Sequence, residues 1–164
     1  QQDAIVEQVS RAIPPGYKLY IKEHPVPLWP VPISWVKNIA RCPNVRLIHP
    51  LVNAHELIRR CEGVITIISD VGWEALNYYK PVIVFKRPFY AGRGATIDTP
   101  DLGRLGESIE RALRGDFPDH EKVDRLVYAV LKSVYPTTFF PSIADPEPVV
   151  DGLLAEYSRR TGRG

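Results

Sequence analysis

The chain has 164 residues, 45% of them hydrophobic and 24% charged, which suits one soluble domain with a sizeable core. Its formal net charge of +2 is too small to argue for nucleic acid or an anionic membrane surface as a partner. No apolar run approaches the roughly 18–20 residues that span a bilayer, and the N-terminus lacks a signal-peptide pattern.

Ile5, Val6, Val9 and Ile13 recur at helical spacing and predict a helix over 3–13, stopped by Pro14-Pro15-Gly16. A short strand over 17–21 follows, ending in Lys22-Glu23-His24-Pro25. The next loop carries Pro25, Pro27, Pro30 and Pro32, each disfavouring helix at the residue before it. Ser34 is expected to cap a short helix through Ala40. A strand over 45–48 closes on His49-Pro50, and Asn53 is expected to cap a helix running to about Cys61.

The continuous apolar run 64–68 reads as a central parallel strand buried on both faces. A glycine-bearing turn then opens a helix over 71–79, followed by a strand over 82–85. A loop with Gly92, Arg93 and Gly94 leads to Ile97. Amphipathic helices are predicted over 105–113 and 123–134. An apolar, proline-bounded segment over 136–141 separates the second from a last helix over 147–159.

Strands alternating with helices give repeated β-α units with right-handed crossovers. The expected fold class is α/β, a Rossmann-like three-layer sandwich with a mainly parallel sheet of four or five strands. Without a repeat or a dividing linker, 1–164 reads as a single domain. Cys42 and Cys61 lack the number and spacing of a zinc site or disulfide framework, and read as buried free thiols in a reducing compartment. There is no methionine and the chain opens in a helical pattern, so either the N-terminus has been processed or this is part of a longer polypeptide.

In open α/β sheets, ligands sit at the carboxyl ends of strands, where helix N-termini point N–H groups at anions. Two stretches meet that description. In Lys22-Glu23-His24-Pro25 the proline stiffens the chain, and His24 has two readings: a donor to phosphate oxygen, or packing where strand meets loop. A second motif on the same edge favours the first.

That motif is Ser69-Asp70-Val71-Gly72-Trp73-Glu74. The Ser69 hydroxyl and the N–H groups near Gly72 could cradle phosphate. Equally, Ser69 or Asp70 could cap the helix while Gly72 allows close packing. Glu74 in the first turn could grip ribose hydroxyls, though the helix dipole favours it there regardless. Trp73 reads as core or rim packing. Lys86 and Arg87 could supply charge to a phosphate or be solvated, and Phe89-Tyr90 could close over a ligand or fill the base of a loop. His49 could border a nucleobase or be incidental. There is no Ser-His-Asp arrangement, metal-ligand cluster or GxxxxGK[ST] loop, and Gly92-Arg93-Gly94 is too short for a dinucleotide fingerprint.

Taken together, Lys22-Glu23-His24-Pro25, Pro43-Asn44-Val45, Leu47-Ile48, Pro50 and Glu56-Leu57-Ile58 resemble the bacterial capsular polysaccharide biosynthesis proteins. So do Gly72-Trp73-Glu74-Ala75-Leu76, Lys80-Pro81-Val82-Ile83 and Phe89-Tyr90, the whole running over about 17–98. The resemblance implies a glycosyltransferase with two Rossmann-like domains (GT-B), of which this is the C-terminal half. It implies a CMP-sugar donor such as CMP-Kdo, a glycan or glycolipid acceptor, and no metal or cofactor. The location implied is cytoplasmic, with peripheral association at the inner membrane.

By the same resemblance His24 matches a histidine on donor phosphate, Ser69 a hydroxyl in the phosphate loop, and Glu74 a ribose-binding glutamate. The nucleotide-binding set is then Lys22, His24, Pro25, Ser69, Asp70, Gly72, Glu74, Lys86 and Tyr90. The acceptor domain and the catalytic base are expected outside this chain, with 142–164 crossing back to that domain. Two positions depart from the family pattern. Asp70 stands where a small or hydroxyl residue is usual and repels phosphate. Lys86 stands where glycine is common and, with Arg87, offsets it.

Two alternatives remain open. One keeps the architecture but acts as a UDP-sugar epimerase or a CDP-polyol phosphotransferase. The other is a non-enzymatic α/β interaction domain; a receiver-type one would need clustered aspartates after the first strand, where Lys22-Glu23-His24 stands instead.

Overall fold

A computed structural model describes residues 2–22, 32–115 and 117–133. The chain divides into two compact units, Gln1–Leu126 and Val127–Gly164. The described part of the second, 127–133, is helical. It exposes Tyr128 and Leu131, and Lys132 Nζ stands 5.6 Å from the Tyr128 ring centroid.

The first unit runs α1 (Gln2–Ala12), β1 (Leu19–Lys22), α2 (Ile33–Ala40), β2 (Val45–Ile48), α3 (Ala54–Arg60) and β3 (Val64–Thr66). It continues with α4 (Val71–Leu76), β4 (Val82–Val84), β5 (Ile97–Asp98), a 3-10 turn over Leu102–Arg104, α5 (Leu105–Leu113) and the start of α6 (His120–Ser133). Every described strand pair is parallel, as β-α alternation requires. The α/β, Rossmann-like character expected from the sequence is therefore present.

The strands form two hydrogen-bonded groups where a single sheet is expected. β1 pairs β2 from Leu19↔Val45 to Lys22↔Ile48, and the other group has the order β3-β4-β5. What joins β1 to the second group is a common core. Val9 of α1, Ile83, Ile97, and Leu105, Ile109 and Ala112 of α5 form a buried cluster with Phe117, and both Leu19 and Ile65 pack against it. Fully burying each such aliphatic side chain contributes about 1.5–3 kcal/mol. Strand alternation turns Val82 and Val84 away from this cluster. On that side α4, packed on β3 and β4, brings buried Ala75 and Leu76.

A polar lock completes the docking of α1. Ser10 Oγ donates to Asn44 Oδ1 at 2.6 Å, and Asn44 Nδ2 donates to the Ser10 carbonyl at 2.7 Å. The Asn44 carbonyl accepts the Leu19 N–H at 2.8 Å, so one residue ties α1 and β1 to the start of β2.

Several boundaries differ from expectation, each for a local reason. Ser34 does not cap α2: the helix starts at Ile33 behind Pro32, whose carbonyl accepts the Trp35 and Val36 amides. Asn53 does cap α3, accepting the His55 N–H at 2.9 Å. The run 64–68 is neither central nor a strand throughout. β3 stops at Thr66, and Ile68 is 62% exposed. The central strand of its group is β4, buried at all three residues. α4 ends at Leu76 because the chain turns through Tyr79 at φ 51°, with the Lys80 N–H closing on the Ala75 carbonyl. α6 starts three residues earlier than expected, where the Asp119 carboxylate accepts the Lys122 N–H at 3.3 Å. Cys42 and Cys61 are free and half-buried, not fully buried. The segments 136–141, 142–164 and 147–159 lie outside the described residues.

Candidate functional site

β1 ends at Lys22, half-buried; His24 and Pro25 beyond it lie outside the described residues. In the other sheet, β3 leads into Ser69, Asp70, Gly72 and Glu74, and β4 leads into Lys86 and Tyr90. The structure brings Ser69, Asp70, Gly72 and Tyr90 together. Lys86 and Arg87 are exposed and form no ion pair among the described residues. His49 directly follows β2, exposed, its Nδ1 accepting the Leu51 N–H at 3.3 Å.

The turn after β3 is built from its own side chains. Buried Thr66 accepts the Ser69 N–H on Oγ1 at 3.1 Å, which pulls the chain out of the strand. Ser69 Oγ accepts the Val71 N–H at 3.3 Å, and the Ser69 carbonyl accepts the Gly72 N–H at 3.2 Å. The Glu74 N–H donates to the Asp70 carbonyl at 3.0 Å. The expectation of free N–H groups near Gly72 is thereby corrected, since the Val71 and Gly72 amides already have acceptors. With six residues, α4 also carries only a small dipole. Asp70 occupies the N-cap position in helical backbone conformation, and its side chain makes no cap bond.

What the turn offers outward is side-chain chemistry. Ser69 and Asp70 are exposed and Glu74 is half-buried. The Ser69 hydroxyl accepts from Val71 yet keeps its own proton to donate.

Gly72 is glycine because Tyr90 lies against it. A β-carbon at 72 would stand 2.4 Å from the Tyr90 hydroxyl oxygen and 2.8 Å from Cζ. That hydroxyl donates to the Ser69 carbonyl at 2.5 Å, and Tyr90 has no exposed surface. Tyr90 therefore fills the base of the loop and does not face a ligand, which removes it from the expected contact set. Phe89 is the outward member of the pair at 54% exposure, its ring 5.3 Å from Trp73 and edge-on to Tyr90 at 5.1 Å. Burial, and then the charge of Asp70, push the Tyr90 phenol up to about 12.

The loop into β5 closes on Asp98, a residue the sequence reading passed over. Its carboxylate accepts the Gly92 N–H at 2.9 Å and the Thr96 hydroxyl at 2.6 Å. Gly92 and Gly94 sit at φ 73° and 77°, the left-handed region where glycine is favoured. The signal was an aspartate closely following two glycines and a threonine. Among the described residues, no group of three or more His, Cys, Asp or Glu is placed to hold a metal ion. No helix among them is long and apolar enough to cross a membrane.

An α/β unit with parallel strands and a polar turn at the strand ends is the class that fold and site define. Residues 1–111, which include all five described strands, match the capsule polysaccharide biosynthesis protein family, and the chain belongs to that family. It is 31% identical over 101 residues to the capsule polysaccharide modification protein LipA of Neisseria meningitidis serogroup B (strain ATCC BAA-335 / MC58), covering 61% of this chain and 14% of that protein. The LipA of Neisseria meningitidis serogroup A / serotype 4A (strain DSM 15465 / Z2491) is 30% identical over 101 residues, with the same coverage. The matched region is thus a small fraction of those curated relatives. No solved structure matches the chain.

Proposed function

We propose that this chain is the donor-nucleotide-binding domain of a glycosyltransferase in capsular polysaccharide biosynthesis, taking a CMP-sugar such as CMP-Kdo. The observation that carries the reading is the family match over 1–111, which contains every described strand and the loops that follow them. Transfer separates the sugar from a nucleotide phosphate that gains charge, and donors aimed at that phosphate lower the barrier. On this reading Ser69 donates its hydroxyl proton there, while Lys22 and Lys86 supply positive charge. His24 adds an imidazole donor, and Glu74 accepts from ribose hydroxyls. Asp70 opposes phosphate and Lys86 offsets it.

The acceptor, a glycan or glycolipid, and the catalytic base belong to a further domain of a longer, GT-B-type protein. That protein works in the cytoplasm, at the inner face of the membrane. Calorimetric titration with CMP, CDP, UMP and UDP tests the reading. Weak binding that favours CMP supports it, and preference for CDP points to the CDP-polyol phosphotransferase alternative. Preference for UDP points to the epimerase alternative, and the absence of heat with all four removes the donor-binding role.

A further inference from the structure

The Tyr90 hydroxyl reaches the Ser69 carbonyl from inside the protein, at 2.5 Å and with no solvent-exposed surface on the residue. Ring packing alone would be served as well by phenylalanine; the hydroxyl is what a tyrosine adds, and it is aimed at one carbonyl. That carbonyl also accepts the Gly72 amide, and the serine that bears it accepts the Val71 amide on its side chain. A peptide group is planar and trans, so fixing the direction of the Ser69 carbonyl fixes the whole 69–70 peptide plane. The Val71 amide bound to Ser69 Oγ then sets the direction of the Ser69 hydroxyl relative to that plane.

We propose that Tyr90 is the positioning residue of the Ser69–Gly72 turn: its buried hydroxyl holds the Ser69 carbonyl inward, so that the Ser69 hydroxyl is presented outward in one orientation. Gly72 is the space that admits it, since a side chain there would stand where the hydroxyl is. Phe89 supports the ring from the side, meeting Tyr90 edge-on, and Phe89 is in turn packed against Trp73 at 5.3 Å. Burial and then Asp70 raise the phenol from its ordinary 10.0 to about 12, and the hydroxyl remains a donor throughout the physiological range. The role in ligand binding rests on the donor-nucleotide reading above; the role in holding the turn does not.

Tyr90→Phe keeps the ring and removes only the hydroxyl. Amide exchange measured by NMR on the ligand-free chain should become about tenfold faster at Val71 and Gly72 in Y90F, the size expected for loss of one buried hydrogen bond. Exchange at Ile83 and Val84 in β4 should stay unchanged. Unaltered exchange at Val71 and Gly72, or a uniform rise that includes β4, would overturn the proposal. Titrating both forms with CMP then separates the two ideas. If CMP shifts the turn amides of the wild type, Y90F should bind several-fold more weakly, and equal affinity would contradict the positioning role at the site. If CMP shifts no amide of the turn in the wild type while Y90F still frees Val71 and Gly72, the donor reading fails and Tyr90 keeps its role in the turn.

Discussion

The hydroxyl of Tyr90 stands where a β-carbon on residue 72 would have to be, 2.4 Å from its ideal position. Gly72→Ala should therefore destabilise the chain by about 1–3 kcal/mol, the usual penalty for forcing extra volume into a packed site. Urea unfolding followed by circular dichroism reads this directly. Adding Tyr90→Phe to G72A should recover only part of the loss, because Cζ and Cε2 of the ring remain 2.8 and 3.0 Å away. An alanine at 72 that costs nothing would mean that the ring does not occupy this space.

Alkaline pH offers a second handle on the same residue. A phenol whose folded pKa is raised from 10.0 to about 12 binds its proton more tightly in the folded state. The stability this provides is fully present below pH 10 and lost as pH rises toward 12. Thermal melts between pH 9 and 12 should show a fall in Tm that is shallower in Y90F, measured against its own neutral-pH value, since Tyr79, raised by its hydrogen bond to Asp124, and Cys61, raised by burial, still contribute there. Asp70→Asn should shift the Tyr90 titration downward, by less than burial shifts it upward, since burial is the larger cause. An identical alkaline profile in wild type and Y90F would exclude a buried Tyr90.

Much of the fold was legible where short-range signals agree with tertiary packing. β2 runs 45–48 and α5 105–113 as read, each with strong patterning and clear ends. The run 64–68 misled because Ile67 and Ile68 look like strand, while Thr66 competes for the Ser69 amide and ends the ladder two residues early. β5 escaped notice because two residues leave no period to detect.

At the site, a glycine beside a phosphate and a glycine beneath a tyrosine are the same letter. Only the position of Tyr90, distant in sequence, separates them. Asp98 was missed because its partners, Gly92 and Thr96, are loop residues joined only when the loop folds back on the carboxylate.

Asn44 makes a prediction independent of the site. It exchanges two hydrogen bonds with Ser10 and accepts the Leu19 amide through its carbonyl. Asn44→Ala removes the side-chain pair but leaves the carbonyl, stranding the buried Ser10. A loss of about 1–3 kcal/mol is expected, from desolvated groups left without partners. Equilibrium unfolding would show it, and an unchanged midpoint would mean that α1 is held by its apolar face alone.

Asp98→Ala should free the Gly92 amide and the Thr96 hydroxyl while sparing the strands. The expected signature is faster amide exchange at Gly92 with unchanged exchange at Ile83. Loss of protection throughout β4 would instead make Asp98 part of the global core.

The claim that the turn after β3 belongs to a donor-nucleotide site is tested most directly by an amide shift map of the chain titrated with CMP. Saturable shifts should concentrate at Lys22, His24, 69–74 and Lys86, weakened by Ser69→Ala and Glu74→Gln. Shifts scattered away from those residues, or none at millimolar CMP, CDP, UMP and UDP alike, would contradict it.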